Sequence, residues 1–210
     1  MYTHQKEFIK TGKPFTETNK AIIMIHGRGG SAEDIASLQR FLHLEDMAIY
    51  APQATNNSWY PYSFMAPEEN NQPALDSAIA SIGEVVSEIK ANGIDEEHIY
   101  FLGFSQGACL TLEYVARNAK KYGGIVAFTG GLIGEQLQKS RYQGDFGQTP
   151  ILITTSDPDL HVPLIRVEDS IEILETLGAE VSLKVYKGKM HSISKEELDL
   201  ANKLMFAGSI

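Results

Sequence analysis

Ser105 stands in Gly103-Phe104-Ser105-Gln106-Gly107, directly after the apolar run Ile99-Tyr100-Phe101-Leu102 and before Ala108-Cys109-Leu110-Thr111-Leu112. Strand, tight turn and helix in that order put a serine at the apex of a strained turn, with its hydroxyl lifted above a sheet edge. The flanking glycines let the backbone fold that sharply and let neighbouring elements approach. A serine hydroxyl is a poor nucleophile near neutral pH and needs a base to take its proton; the base needs a carboxylate to fix its tautomer. On such a frame the chain order is serine, acid, histidine, each after a later strand. Asp157 and Asp159 follow the run at 151–155, and His191 follows the run at 181–186, in Lys187-Gly188-Lys189-Met190-His191. The residues alone leave both aspartates open as the acid. His161 rivals His191 as base but precedes the last strand. His4, His43 and His98 read as solvated surface residues.

Acyl transfer builds negative charge on a carbonyl oxygen, which preorganised backbone N–H groups must stabilise. The residue after the nucleophile, Gln106, offers one such amide. The glycine-rich segment His26-Gly27-Arg28-Gly29-Gly30 offers another at Arg28. His26 reads as a residue that fixes this loop by hydrogen bonding. The Arg28 side chain stays open between solvent and an acidic substrate group. Neither GxxxxGK[ST] nor GxGxxG is present, which sets a phosphate loop aside. Asn57-Ser58-Trp59-Tyr60-Pro61-Tyr62-Ser63-Phe64-Met65 gathers the only tryptophan with other aromatics. Trp59, Tyr60 and Phe64, with His161, are the candidate substrate-binding side chains; a satellite core under a long loop is the competing reading. Glu68, Glu69 and Asn70 then form a solvated rim, and Cys109 is a small packing residue. No His, Cys and carboxylate cluster has metal-ligand spacing, so neither metal nor other cofactor is expected.

Positioning these residues requires strands of matching length. Apolar runs at 21–26, 47–51, 99–104, 124–129, 151–155 and 181–186 read as strands, with a weaker one within 5–10. Four of them are almost wholly apolar, as parallel strands covered on both faces must be. Helices are expected at 31–41, 73–92, 106–119, 163–177 and 194–206. Ser31 is a candidate N-cap, Asn92-Gly93 a stop, and Ser194-Lys195-Glu196-Glu197 has capping-box spacing. Strand and helix alternating throughout predict one α/β domain over residues 1–210, with a mostly parallel central sheet and helices on both faces. Residues 53–72 read as one long irregular loop, a length usually reserved for function.

Composition narrows the chemistry. The 210 residues are 43% hydrophobic and 21% charged, an ordinary globular balance, and the formal net charge is −9. That sign disfavours nucleic acid, anionic membranes and large polyanionic substrates. One cysteine excludes an intrachain disulfide and suits a reducing compartment. No signal-peptide core or membrane-length apolar run is present, so a cytoplasmic protein without stable membrane association is expected.

His26-Gly27-Arg28-Gly29-Gly30, Gly103-Phe104-Ser105-Gln106-Gly107, Asp159-Leu160-His161-Val162-Pro163 and Met190-His191-Ser192-Ile193-Ser194 together resemble the phospholipase/carboxylesterase family of α/β-hydrolases, which includes acyl-protein thioesterases. Ser58-Trp59-Tyr60 and the Phe64 to Glu68 segment are similar to its bacterial small-carboxylesterase branch. The resemblance implies Asp159 as the acid and an oxyanion site at the Arg28 and Gln106 amides. It also implies an esterase forming an acyl-enzyme on a small-molecule ester, and a tendency to homodimers. The chain departs from the family pattern at Ser156, often glycine, and at His161, usually small and apolar.

Overall fold

Apolar β-branched runs bounded by turn residues can satisfy their backbone only by pairing, and here they pair into one sheet. The computed structural model describes residues 2–207. Its strands are β1 (Phe8–Gly12), β2 (Ala21–Ile25), β3 (Ala48–Pro52), β4 (Ile99–Phe104), β5 (Gly124–Phe128), β6 (Pro150–Asp157) and β7 (Glu180–Lys187). They lie in the order β1-β3-β2-β4-β5-β6-β7. Only β1 runs antiparallel, Phe8 opposite Pro52 and Gly12 opposite Ala48. The expected α/β fold with a mostly parallel sheet is the fold found. β2, β3 and β5 are buried at every position, whereas β7, at the edge, leaves most of its residues exposed.

The helices are α1 (Ala32–Ala36), α2 (Glu68–Asn71), α3 (Ala74–Ala91), α4 (Gln106–Arg117), α5 (Leu164–Thr176) and α6 (Lys195–Leu204). Alternation along β2 divides the core. Ile23 and Ile25 face a layer built by α3, α4 and α5, while Ile22 and Met24 face α1 and α6. Helix α4 is buried continuously from Gln106 to Ala116, as a helix wedged beneath a sheet must be. Among the described residues no helix is long and apolar enough to cross a membrane.

Three local expectations change. The helix expected over 31–41 is α1 followed by a tighter 3-10 turn at Ser37–Arg40, which lets the chain bend toward β3. Residues 53–72 are not wholly irregular, because they hold a 3-10 turn at Thr55–Asn57 and the short α2. Glu68 is not a solvated rim residue either. Its carboxylate pairs with Arg117 at 2.9 Å and with Arg141, and both arginines also pair with the fully buried Glu113. Glu113 further accepts the Ile133 amide at 2.9 Å and the Tyr142 hydroxyl at 3.0 Å. This network fastens α2, and with it the aromatic segment, to α4.

Candidate active site

The turn between β4 and α4 is held in a conformation that only its neighbours make possible. Ser105 has φ 54° and ψ −118°, a region that costs energy for a residue with a side chain. Its amide donates to Phe128 O on β5 at 3.0 Å. A Cβ at Gly103 would lie 2.4 Å from Gly107 O, and one at Gly107 would lie 2.2 Å from Ile25 O. Both positions therefore need glycine so that α4 can press against β2 and β4.

Three side chains from three strand ends meet above this turn. Ser105 follows β4, Asp159 lies two residues past β6, and His191 lies four past β7. All leave the carboxyl ends of parallel strands, where open α/β sheets gather their sites. His191 Nε2 is 2.7 Å from Ser105 Oγ, and His191 Nδ1 is 2.9 Å from Asp159 Oδ2. A carboxylate only accepts, so Nδ1–H donates to Asp159 and Nε2 is left to accept the serine proton. The other carboxylate oxygen accepts the His161 and Val162 amides at 2.8 and 2.9 Å. Burial acts to raise the Asp159 pKa, but the bonds from His191 and the two amides overcome it and hold the group below the usual carboxylate range. Asp157 is elsewhere: it ends β6 opposite Lys187, and its carbonyl accepts the Gly188 amide. The Phe104 ring lies 5.4 Å from the imidazole, and the His161 ring 5.0 Å from it, edge-on.

Gly27 brings the glycine-rich loop against the turn, since a Cβ there would lie 3.4 Å from Ser105 Cβ. Arg28 and Gln106 consequently share a cleft wall with Ser105 and His191. Their side chains are engaged elsewhere. Arg28 donates to Ser58 Oγ, Pro61 O and Tyr62 O at 3.1, 2.9 and 2.7 Å. Gln106 accepts the Trp59 amide at 2.9 Å and donates to Tyr60 O at 2.8 Å. Both side chains thus brace the aromatic segment, and the Arg28 guanidinium is neither merely solvated nor free for substrate.

The cleft encloses about 550 Å³, with Tyr60, Phe64, Leu160, His161 and Cys109 among its lining residues. Trp59 is a correction. It is fully buried outside this cleft, its Nε1–H bonded to His26 O at 2.9 Å and its ring packed on His4 and His26. It supports the wall instead of forming it. His26 fixes its own loop: Nδ1–H donates to Gly27 O at 2.7 Å, and Nε2 accepts the Ala54 amide at 3.1 Å. His4 is no surface residue. It is 6% exposed and bridges Trp59 O and the Thr55 amide. His43 is exposed and His98 partly so.

Cys109 is buried with its thiol pushed up to about 12 by desolvation, the protonation expected of a packing residue. Among the described residues no group of three or more His, Cys, Asp or Glu side chains is gathered for a metal. A larger groove of about 730 Å³, between the N-terminal segment and α3, contains none of Ser105, Asp159 or His191.

Sequence reading gave Lys189 and Glu197 no part at the site and noted Ser156 only as a departure from the family pattern; all three meet at the loop that carries His191. Ser156 donates to Lys189 O at 2.8 Å, and Lys189 reaches the buried Glu197 at 3.2 Å. The spacing of Ser194 and Glu197 was visible as a helix cap, but nothing local signalled that the carboxylate is buried beside the histidine loop.

A hydroxyl bonded to an imidazole that is itself bonded to a carboxylate can pass its proton to that imidazole as it attacks a carbonyl. Comparison with known proteins agrees with that chemistry. Residues 6–206 match the family model described as phospholipase/carboxylesterase. The chain is 62% identical to a phospholipase/carboxylesterase of Dyadobacter fermentans whose crystal structure superposes with a TM-score of 0.97, over 98% of this chain and 99% of that one. It is 30% identical over 210 residues to acyl-protein thioesterase 1 of Saccharomyces cerevisiae, covering 87% of this chain and 90% of that protein. It is 29% identical over 196 residues to the probable carboxylesterase SOBER1-like of Arabidopsis thaliana, covering 84% and 74%. With the family model spanning nearly its whole length, the chain belongs to the phospholipase/carboxylesterase family, serine hydrolases on the α/β-hydrolase fold.

Proposed function

We propose that Ser105 attacks the carbonyl of a carboxylic ester, that His191 takes its proton and later returns it to the leaving alcohol, and that Asp159 orients His191. The single observation carrying this reading is the continuous chain Ser105 Oγ, His191 Nε2, His191 Nδ1, Asp159 Oδ2, with distances of 2.7 and 2.9 Å. The Ser105 hydroxyl adds to the carbonyl, the alcohol departs with the proton held on Nε2, and an acyl-enzyme remains. Water, deprotonated by the same nitrogen, then releases the acid. The amides of Arg28 and Gln106 hold the negative oxygen between these steps. A cleft of about 550 Å³ with Tyr60 and Phe64 on its wall suits small to medium acyl or aromatic esters.

The test is hydrolysis of p-nitrophenyl esters, acetate through decanoate, by wild type and Ser105→Ala. Turnover lost in the variant with folding intact is the expected result, and retained hydrolysis sinks the assignment. A relative named acyl-protein thioesterase gives a second reading with the same residues: cleavage of sulfur esters. Oxygen and sulfur esters of one acyl chain, compared by kcat/KM, separate the two.

A further inference from the structure

We propose that the Lys189–Glu197 ion pair is a positioning device for His191, clamping the loop that presents the imidazole to Ser105. The proposal rests on the reading of Ser105 and His191 as nucleophile and base.

A comparison within the molecule isolates the feature. Helices α1 and α6 open with the same capping box, Ser31 with Asp34 and Ser194 with Glu197. At α1 the acidic member is exposed and serves only the cap. At α6 the carboxylate is fully buried and serves more than the cap. It accepts the Ser194 amide and hydroxyl at 2.8 Å each, the Thr154 hydroxyl of β6 at 2.5 Å and Lys189 Nζ at 3.2 Å. Helix capping requires none of the last two partners.

Lys189 spends its remaining donors on the backbone around the imidazole. Nζ donates to Met190 O at 3.2 Å and to Ser192 O, the two carbonyls flanking His191. Lys189's own carbonyl accepts from Ser156 of β6 at 2.8 Å. Apolar packing holds the loop only at and beyond the imidazole, through Phe104 and Ile193, because Met190 is 80% exposed. Ahead of the imidazole the loop is fixed by polar contacts to α6 and to β6, the strand that continues to Asp159. Base and acid share one frame of reference. Displacing a reacting group by about 1 Å is enough to cost about 100-fold in rate, so the clamp bears on kcat.

The experiment measures kcat and KM for p-nitrophenyl acetate in K189M, K189R and E197Q. In parallel it follows the rate at which a fluorophosphonate labels Ser105 with loss of fluoride. K189M is expected to lose about 10- to 100-fold in kcat and in labelling rate, with KM changed by no more than about twofold. E197Q is expected to lose in the same direction, and K189R, which keeps the cation and its donors, to stay within about fivefold of wild type. Should K189M fail to fold by near-ultraviolet circular dichroism, K189M/E197Q leaves no uncompensated buried charge and must show the same kcat loss. Folded K189M or K189M/E197Q with wild-type kcat and labelling rate overturns the clamp. So does a loss confined to KM. Wild-type protein that is not labelled at Ser105 overturns the underlying reading instead.

Discussion

A serine held at φ 54° is stable only because its amide bonds to β5 and two glycines admit the surrounding backbone. Once held there, its hydroxyl needs a base in one tautomer, and Asp159 enforces that tautomer through a donor–acceptor rule. An asparagine at 159 still accepts through its oxygen from the His161 and Val162 amides, but presents N–H to Nδ1. Nδ1 must then accept, Nε2 carries the proton, and the serine loses its acceptor. Asp159→Asn is expected to lower kcat by about 10⁴-fold with little change in KM. Steady-state kinetics at saturating ester check this, and a variant within tenfold of wild type would return Asp157 to consideration.

At the scale of elements, the site depends on how closely α4 lies against β2. An alanine at Gly107 places its Cβ 2.2 Å from Ile25 O and 2.5 Å from His26 O, both backbone atoms that cannot step aside alone. Gly107→Ala is expected to abolish fluorophosphonate labelling and to lower the urea unfolding midpoint, and normal labelling would show that the helix can retreat without disturbing Ser105. The cleft wall depends on Glu113, which gathers Arg117, Arg141, Tyr142 and the Ile133 amide inside the protein. Removing a buried partner from such a network leaves two guanidinium groups undercompensated. Glu113→Ala is expected to destabilise the fold by about 3–5 kcal/mol, measured by urea denaturation. A loss below 1 kcal/mol would mean that water replaces the carboxylate readily.

Over the whole molecule, stability carries a signature of buried neutral histidines. Desolvation lowers the pKa of His4 and His26 below the ordinary histidine value of 6.5, against the raising effect of their carbonyl partners. Unfolded, these side chains take up protons as pH falls through about 6.5; folded, they resist until lower pH. The unfolded state binds more protons in that window, so unfolding free energy rises with pH there and levels off above it. The urea midpoint is expected to fall between pH 6.5 and 5, and less so in His4→Gln. An unchanged slope in that variant would remove His4 from the account. Asp159 acts with the same sign at lower pH, since its depressed pKa contributes stability that is lost as the carboxylate protonates.

The sequence by itself determined the strand–helix alternation, the parallel sheet and the order of Ser105, aspartate and His191, because periodicity and glycine-flanked turns are local properties. The N-cap at Ser31 and the capping box at Ser194 were legible for the same reason, whereas the part Asp34 plays at Ser31 was not. Tertiary structure decided what depends on contacts between distant segments. Spacing alone left Asp157 and Asp159 equal, and packing placed only Asp159 against His191. Composition could not tell that Trp59 and His4 lie buried together while Tyr60 and Phe64 line the cleft, since an aromatic side chain serves a core and a substrate wall equally well. Nor could it tell that Glu197 leaves solvent while Asp34 does not. The same four-residue pattern caps both helices, and only the arrival of β6 and the His191 loop turns one of the two carboxylates inward.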